Sequence, residues 1–237
     1  DVTVSDIVRI HTSRKGSAKP LSTPQQEFEV PGNRSRLESC GFKVSEGGAH
    51  ISRTIMLKEI TRLLAASDAG ANLEDYNRAV VERNGLGKAT ESTRQKTFRH
   101  LRELYGLSSA VPIFSIYREL MKFDPQSGPL LSFLIAWARD PLLRATSPAI
   151  LGATIGERVS SDDLQQVLTD AYPHQYSANN LGKIARNAAS SWTQSGHLTG
   201  RTNKIRSRVQ PRPAAVTFAL ILGHVAGVAG EQIFSSI

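Results

Sequence analysis

The 237-residue chain has one cysteine, two tryptophans and two methionines. A lone Cys40 can close no internal disulfide and build no cysteine zinc site, so neither kind of staple supports the fold. The six histidines, at positions 11, 50, 100, 174, 197 and 224, show no metal-ligand spacing. No cofactor is expected. Aromatic residues are only 6% of the chain, which leaves few platforms on which unpaired bases could stack. No basic, apolar and small-residue signal opens the sequence, so the expected location is cytoplasmic; aspartate at position 1 leaves a removed leader open. Long apolar runs are missing too. Residues 214–229 carry no charge, but Gly223, His224 and Gly227 interrupt them, and a spanning helix needs about 20 apolar residues. They read as a buried C-terminal helix, with a membrane anchor as the alternative.

Signatures of catalysis are also absent. The stretch 85–90, Gly-Leu-Gly-Lys-Ala-Thr, approaches a phosphate loop but has Glu82 and Ala89 where Gly and Ser or Thr are required. No G-x-S-x-G elbow occurs. Asp162 and Asp163 follow Ser160 and Ser161, where they act as helix-cap acids rather than as a carboxylate pair. The Gly47-Gly48-Ala49-His50 stretch reads as a turn before a helix, although such an N-terminus could hold an anion. The chain is expected not to be an enzyme.

Positive charge is what the sequence has in excess: 29 Lys and Arg against 21 Asp and Glu, a net +8. Its placement is uneven. Residues 177–212 hold Lys183, Arg186, Arg201, Lys204, Arg206, Arg208 and Arg212 and no acid at all. Residues 83–102 hold Arg83, Lys88, Arg94, Lys96, Arg99 and Arg102 against Glu91 alone. Clustered cations without counter-ions suit an anionic partner, nucleic acid foremost.

Apolar periodicity places these clusters on helices. The fold class is mainly α, multi-helical, with helix-turn-helix or winged-helix-like elements and at most a small β-hairpin. Residues 1–45, with Pro20, Pro24 and Pro31, read as a partly ordered N-terminal arm; the alternative is a basic arm touching DNA through Arg14, Lys15, Lys19, Arg34 and Arg36. Residues 46–108 read as a helix-turn-helix-like unit. Its first helix carries Ile51, Ile55, Leu57, Ile60, Leu63 and Leu64, its second is capped by Asn72, and its third is capped by Thr90 or Ser92. Residues 109–172 read as a central helical core, with helices expected over 113–123, 130–139, 142–155 and 164–172. Residues 173–237 read as a winged-helix-like unit. Its first helix begins at Ser177 and buries Leu181, Ala185, Ala188 and Trp192; a basic hairpin and the C-terminal helix follow.

On that helix Lys183, Arg186, Asn187 and Ser190 lie beside the apolar stripe, where cations can bind phosphates and amides can read base edges. Arg201, Lys204, Arg206 and Arg208 of the hairpin would grip the backbone nearby. Arg94, Lys96, Arg99 and Arg102 of the earlier helix form a second candidate contact with double-stranded DNA. About six neutralised phosphates give a log–log salt slope near −5. RNA binding and docking of acidic protein partners are the alternatives. A solvated basic face with no partner is the plainer one.

The order of several short stretches resembles the BrxA family of BREX phage-defence systems. They are Glu46-Gly47-Gly48-Ala49, Glu82-Arg83-Asn84-Gly85-Leu86, Glu91-Ser92-Thr93-Arg94, Ala138-Arg139-Asp140-Pro141-Leu142-Leu143, Ser160-Ser161-Asp162-Asp163-Leu164 and Gly196-His197-Leu198. The resemblance spans residues 45–208. It implies a compact, mostly helical DNA-binding protein that restricts phage beside a methyltransferase, an ATPase and other BREX components.

Overall fold

The computed structural model describes residues 31–228 and is mainly helical. The first half carries α1 (Pro31–Cys40), a 3-10 turn (Ala49–Ile51), α2 (Leu57–Ala65), α3 (Leu73–Asn77) running on through a wider turn (Arg78–Glu82), and α4 (Glu91–Tyr105). Next come α5 (Pro112–Phe123), α6 (Gly128–Arg139), α7 (Pro141–Ala145) and α8 (Ser147–Leu151). The last stretch is β1 (Arg158–Val159), α9 (Ser161–Ala171), α10 (Ala178–Gln194), β2 (Leu198–Thr199), β3 (Lys204–Arg206) and α11 (Pro213–Val225). Short polar side chains open many of these helices. Asn72 and Ser160 each close a capping box, with Asp75 and Asp163, while Thr90 and Ser177 accept the amides of Thr93 and Asn180.

One hydrophobic core runs from Leu37 in α1 to Leu222 in α11. The nearly uncharged α6 buries most of its length and packs against α4, α5, α10 and α11. The C-terminal helix α11 is buried along Ala214, Ala215, Phe218, Ala219 and Leu222, against α5 and α6. Among the described residues, no helix is long and apolar enough to cross a membrane. The arm residues Arg14, Lys15 and Lys19 lie outside the described residues. Arg34 pairs with Glu38, and Arg36 donates to the His224 carbonyl.

Two stretches depart from the periodic reading. The apolar spacing over 51–64 is not one helix. Ile55 uses its backbone elsewhere, its amide on Ser191 Oγ and its carbonyl on Tyr105 Oη. Met56 is left-handed at φ 51°, so the helix starts only at Leu57 and leaves Ile51 exposed in the 3-10 turn. The expected helix over 142–155 breaks into α7 and α8. Pro148 has no amide to give and its ring would strike the residue 144 carbonyl, so a continuous helix cannot pass it.

The winged unit is larger than the sequence suggests. A third strand, β1, joins the hairpin, giving the antiparallel order β1-β3-β2, with Arg158 opposite Ile205 and Leu198 opposite Arg206. The unit β1–α9–α10–β2–β3 thus starts inside the span 109–172. The α9 and α10 helices pack closely against each other across the 172–177 connection. Gly200 turns the hairpin at φ 89°; a Cβ there would lie 2.1 Å from the Asn203 carbonyl oxygen, so only glycine fits.

Buried polar groups fasten this unit to the rest. His50 Nδ1 lies 2.8 Å from Asp140 Oδ2, and Ser191 Oγ lies 2.8 Å from His50 Nε2. Asp140 also accepts the backbone amides of His50, Leu142 and Leu143. Burial opposes ionisation of Asp140, yet His50 and these amides together hold its carboxyl below the usual range. The carboxylate is therefore acceptor only, and Nδ1–H must donate. Gly48 is required here, since a Cβ would sit 2.1 Å from Asp140 Oδ1. The Gly-Gly-Ala-His stretch is the turn the sequence reads as, and the anion it holds is the protein's own Asp140. Arg144, also buried, donates to the carbonyls of Trp137, Ala138 and Lys43.

Beneath the wing, His197 packs against both Trp192 and Phe133, which also touch each other, with Nδ1 2.8 Å from Ser195 Oγ. Burial first, and then Arg206, push its imidazole down to about 3. The folded protein takes up no proton there, while the unfolded chain does below about 6.5.

Two outcomes follow. Asp140→Ala leaves His50 Nδ1 and three buried amides without an acceptor and is expected to cost about 3–5 kcal/mol in urea unfolding. Stability drains as pH falls below about 6.5, and His197→Asn removes up to ~1.4 kcal/mol per pH unit of that loss between about pH 6.5 and 4.5, read from unfolding midpoints.

Candidate nucleic-acid interface

Ser177 caps α10, and steps of three and four turn Leu181, Ile184, Ala185, Ala188 and Trp192 into the core. That leaves Lys183, Arg186 and Ser190 on the outer side, with both cations exposed. Asn180, Lys183, Arg186 and Asn187 form one wall of a groove of about 440 Å³; Ile51 and Ser52 of the 50–53 turn form the other. Sequence reasoning missed this second wall, because it placed Ile51 on a helix stripe.

The site residues divide by what holds them. Lys183, Arg186, Arg201 and Arg208 are exposed, and among the described residues none of them pairs with a carboxylate. Arg201 stands at the wing tip and Arg208 just past β3. Asn187 lines the groove, but its Nδ2 donates to the His50 carbonyl at 2.9 Å, so it is committed to the fold and cannot read a base edge with both donors. Lys204 Nζ donates to the Gly200 carbonyl at 2.8 Å and braces the hairpin, and partial burial lowers its affinity for a proton.

Arg206 is a correction. It is 2% exposed and donates to the carbonyls of His197 and Ser207. As the central strand, β3 has neighbours on both edges, and its last side chain folds under the sheet rather than out to solvent. Arg206 anchors the wing and cannot grip a phosphate. Arg212 is not free either: its Nε contacts both oxygens of Asp124, at 2.8 and 3.1 Å. Hydrogen bonds from Arg212 and then Ser127 hold that carboxyl below its usual range. The acid-free stretch 177–212 therefore has a counter-ion supplied from just past the end of α5.

The second cluster also splits. Lys96, Arg99 and Arg102 are exposed along α4. Arg94 is half buried with its Nε shielded from solvent, on the helix side that faces inward with Thr97, Leu101 and Leu104. It is less accessible than Lys96, Arg99 and Arg102.

The Ser191–His50–Asp140 line has the spacing of a nucleophile, base and orienting acid. Yet all three residues are fully buried, and Ser191 Oγ already accepts the Ile55 amide. The groove above is walled by Asn187 and not by Ser191. The line acts as a fastener between the 50–53 turn and α10. Among the described residues, no group of three or more His, Cys, Asp or Glu could hold a metal. A second cavity, about 380 Å³, lies between α2, α3 and α5 beside Leu64, Tyr76, Arg118 and Met121, away from α10. No protein-family model and no curated protein matches this chain.

Proposed function

We propose that this chain is a non-enzymatic, double-stranded-DNA-binding protein that inserts α10 into the major groove and lays the 200–203 wing along the backbone. The observation that carries this reading is the set of exposed, unpaired cations Lys183, Arg186, Arg201 and Arg208 on the second helix and wing of a β1–α9–α10–β2–β3 unit. The major groove, about 12 Å wide, admits one helix, and a flanking wing meets the adjacent phosphates. Asn180, in the groove wall, and Ser190, whose Oγ accepts from Gln194 Nε2, are half-buried polar groups on that face. Trp192 is buried, with its Nε1 on Thr146 Oγ1, so it offers no stacking surface to single-stranded RNA. The resemblance to BrxA supports a cellular role as the DNA-binding component of a BREX-type phage-defence system, in the cytoplasm beside its methyltransferase and ATPase.

Binding to labelled duplex DNA, followed by anisotropy over a salt series, tests the reading. Lys183→Glu/Arg186→Glu should lose at least about tenfold in affinity, because each phosphate contact contributes about 0.9 to the log–log salt slope. Arg201→Gln/Arg208→Gln should flatten the slope by about 2. Arg206→Gln should instead lower stability with little change in the slope. Unaltered affinity in the α10 variant would remove the proposal.

A further inference from the structure

The two basic stretches are far apart in sequence, yet they meet at the 50–53 turn. On one side, Ile51 and Ser52 wall the groove opposite Asn180, Lys183 and Arg186. On the other, Ser52 Oγ lies 3.3 Å from His100 Nε2 of α4. Arg53 follows, its Nη1 on the Ser52 carbonyl at 2.8 Å. Burial first, then the charges of Arg53 and Arg99, lower the proton affinity of His100, which places both guanidinium groups within electrostatic reach of this contact. Lys96 is exposed one helical turn before His100. Glu103, the carboxylate that faces His100, is already paired with Lys43 at 3.0 Å. Cations held side by side repel one another unless an outside anion neutralises them.

We infer that Lys183, Arg186, Ser52, Arg53, Lys96 and Arg99 form one continuous track for a nucleic-acid backbone, so that a duplex seated on α10 continues across the turn onto α4. This rests on the DNA-binding reading and extends it from a helix-and-wing contact to a longer backbone contact. The track is fixed in advance. The turn is tied to α10 by His50–Ser191 and by the Asn187 side chain on the His50 carbonyl, and to α4 by Tyr105 Oη on the Ile55 carbonyl. Little ordering is left to occur on binding. Phosphate contacts of this kind set register without reading sequence.

The test uses the full chain and a labelled duplex over a salt series. Three variants are compared with wild type: Lys96→Gln/Arg99→Gln, Lys183→Gln/Arg186→Gln, and Lys122→Gln on α5, outside both basic faces. All five side chains are exposed, and circular dichroism checks that each variant is folded. Each paired variant is expected to flatten the log–log salt slope by about 2, and Lys122→Gln to leave it unchanged. If Lys96→Gln/Arg99→Gln keeps the wild-type slope while Lys183→Gln/Arg186→Gln loses it, the track ends at the turn; this inference falls and DNA binding by α10 stands. If the α4 pair weakens binding with no change of slope, its contacts are not to phosphates and the track is equally wrong. If neither pair alters binding, both readings fall.

Discussion

Asp140 accepts hydrogen bonds from the His50 ring and backbone and from the amides of Leu142 and Leu143, all away from water. A buried carboxylate is tolerated only when its acceptor sites are filled in this way. Filling them brings the 3-10 turn against the start of α7, and His50 then reaches Ser191 in the middle of α10. The turn, α7 and α10 are thereby fixed relative to one another by groups that cannot be removed singly without stranding the others. The exposed face of α10 owes its position to this buried line. So does the groove, whose two walls belong to elements far apart in sequence.

The wing depends on a similar exchange of charge for order. Arg206 looks in the sequence like one more phosphate-binding cation, but its guanidinium lies beneath the sheet on backbone carbonyls beside His197. His197 stays uncharged there, packed against Trp192 and Phe133. Burying Arg206 and pairing the exposed Arg212 with Asp124 leaves fewer unpaired cations at the surface than the composition promises. Those that remain, at Lys183, Arg186, Arg201 and Arg208, share one helix and its wing.

Local signals in the sequence carried much of the architecture. The caps at Asn72, Thr90, Ser160 and Ser177 act within one turn of the chain, and each opens its helix as expected. The apolar stripe from Leu181 to Trp192 placed the inner face of α10 for the same reason. What the sequence hid was tertiary. Ile51 and Ile55 have helical spacing, but Ser191 and Tyr105 take the Ile55 backbone. The β1 strand is two residues long and has no pattern to detect; it exists because β3 offers it an edge. Charge type alone could not separate Arg206 from Arg208, since burial under a sheet depends on which strand is central. Arg53 and Ser52 gave no signal, because their importance comes from neighbours about fifty and one hundred and thirty residues away.

The most direct measurement is amide hydrogen exchange of the full chain with and without duplex DNA. Slowed exchange should concentrate in the 50–53 turn, along 180–190 and at the 200–203 wing tip, with α5 and α11 unchanged. Protection confined to the cavity between α2, α3 and α5, or no protection at saturating duplex, would contradict the account.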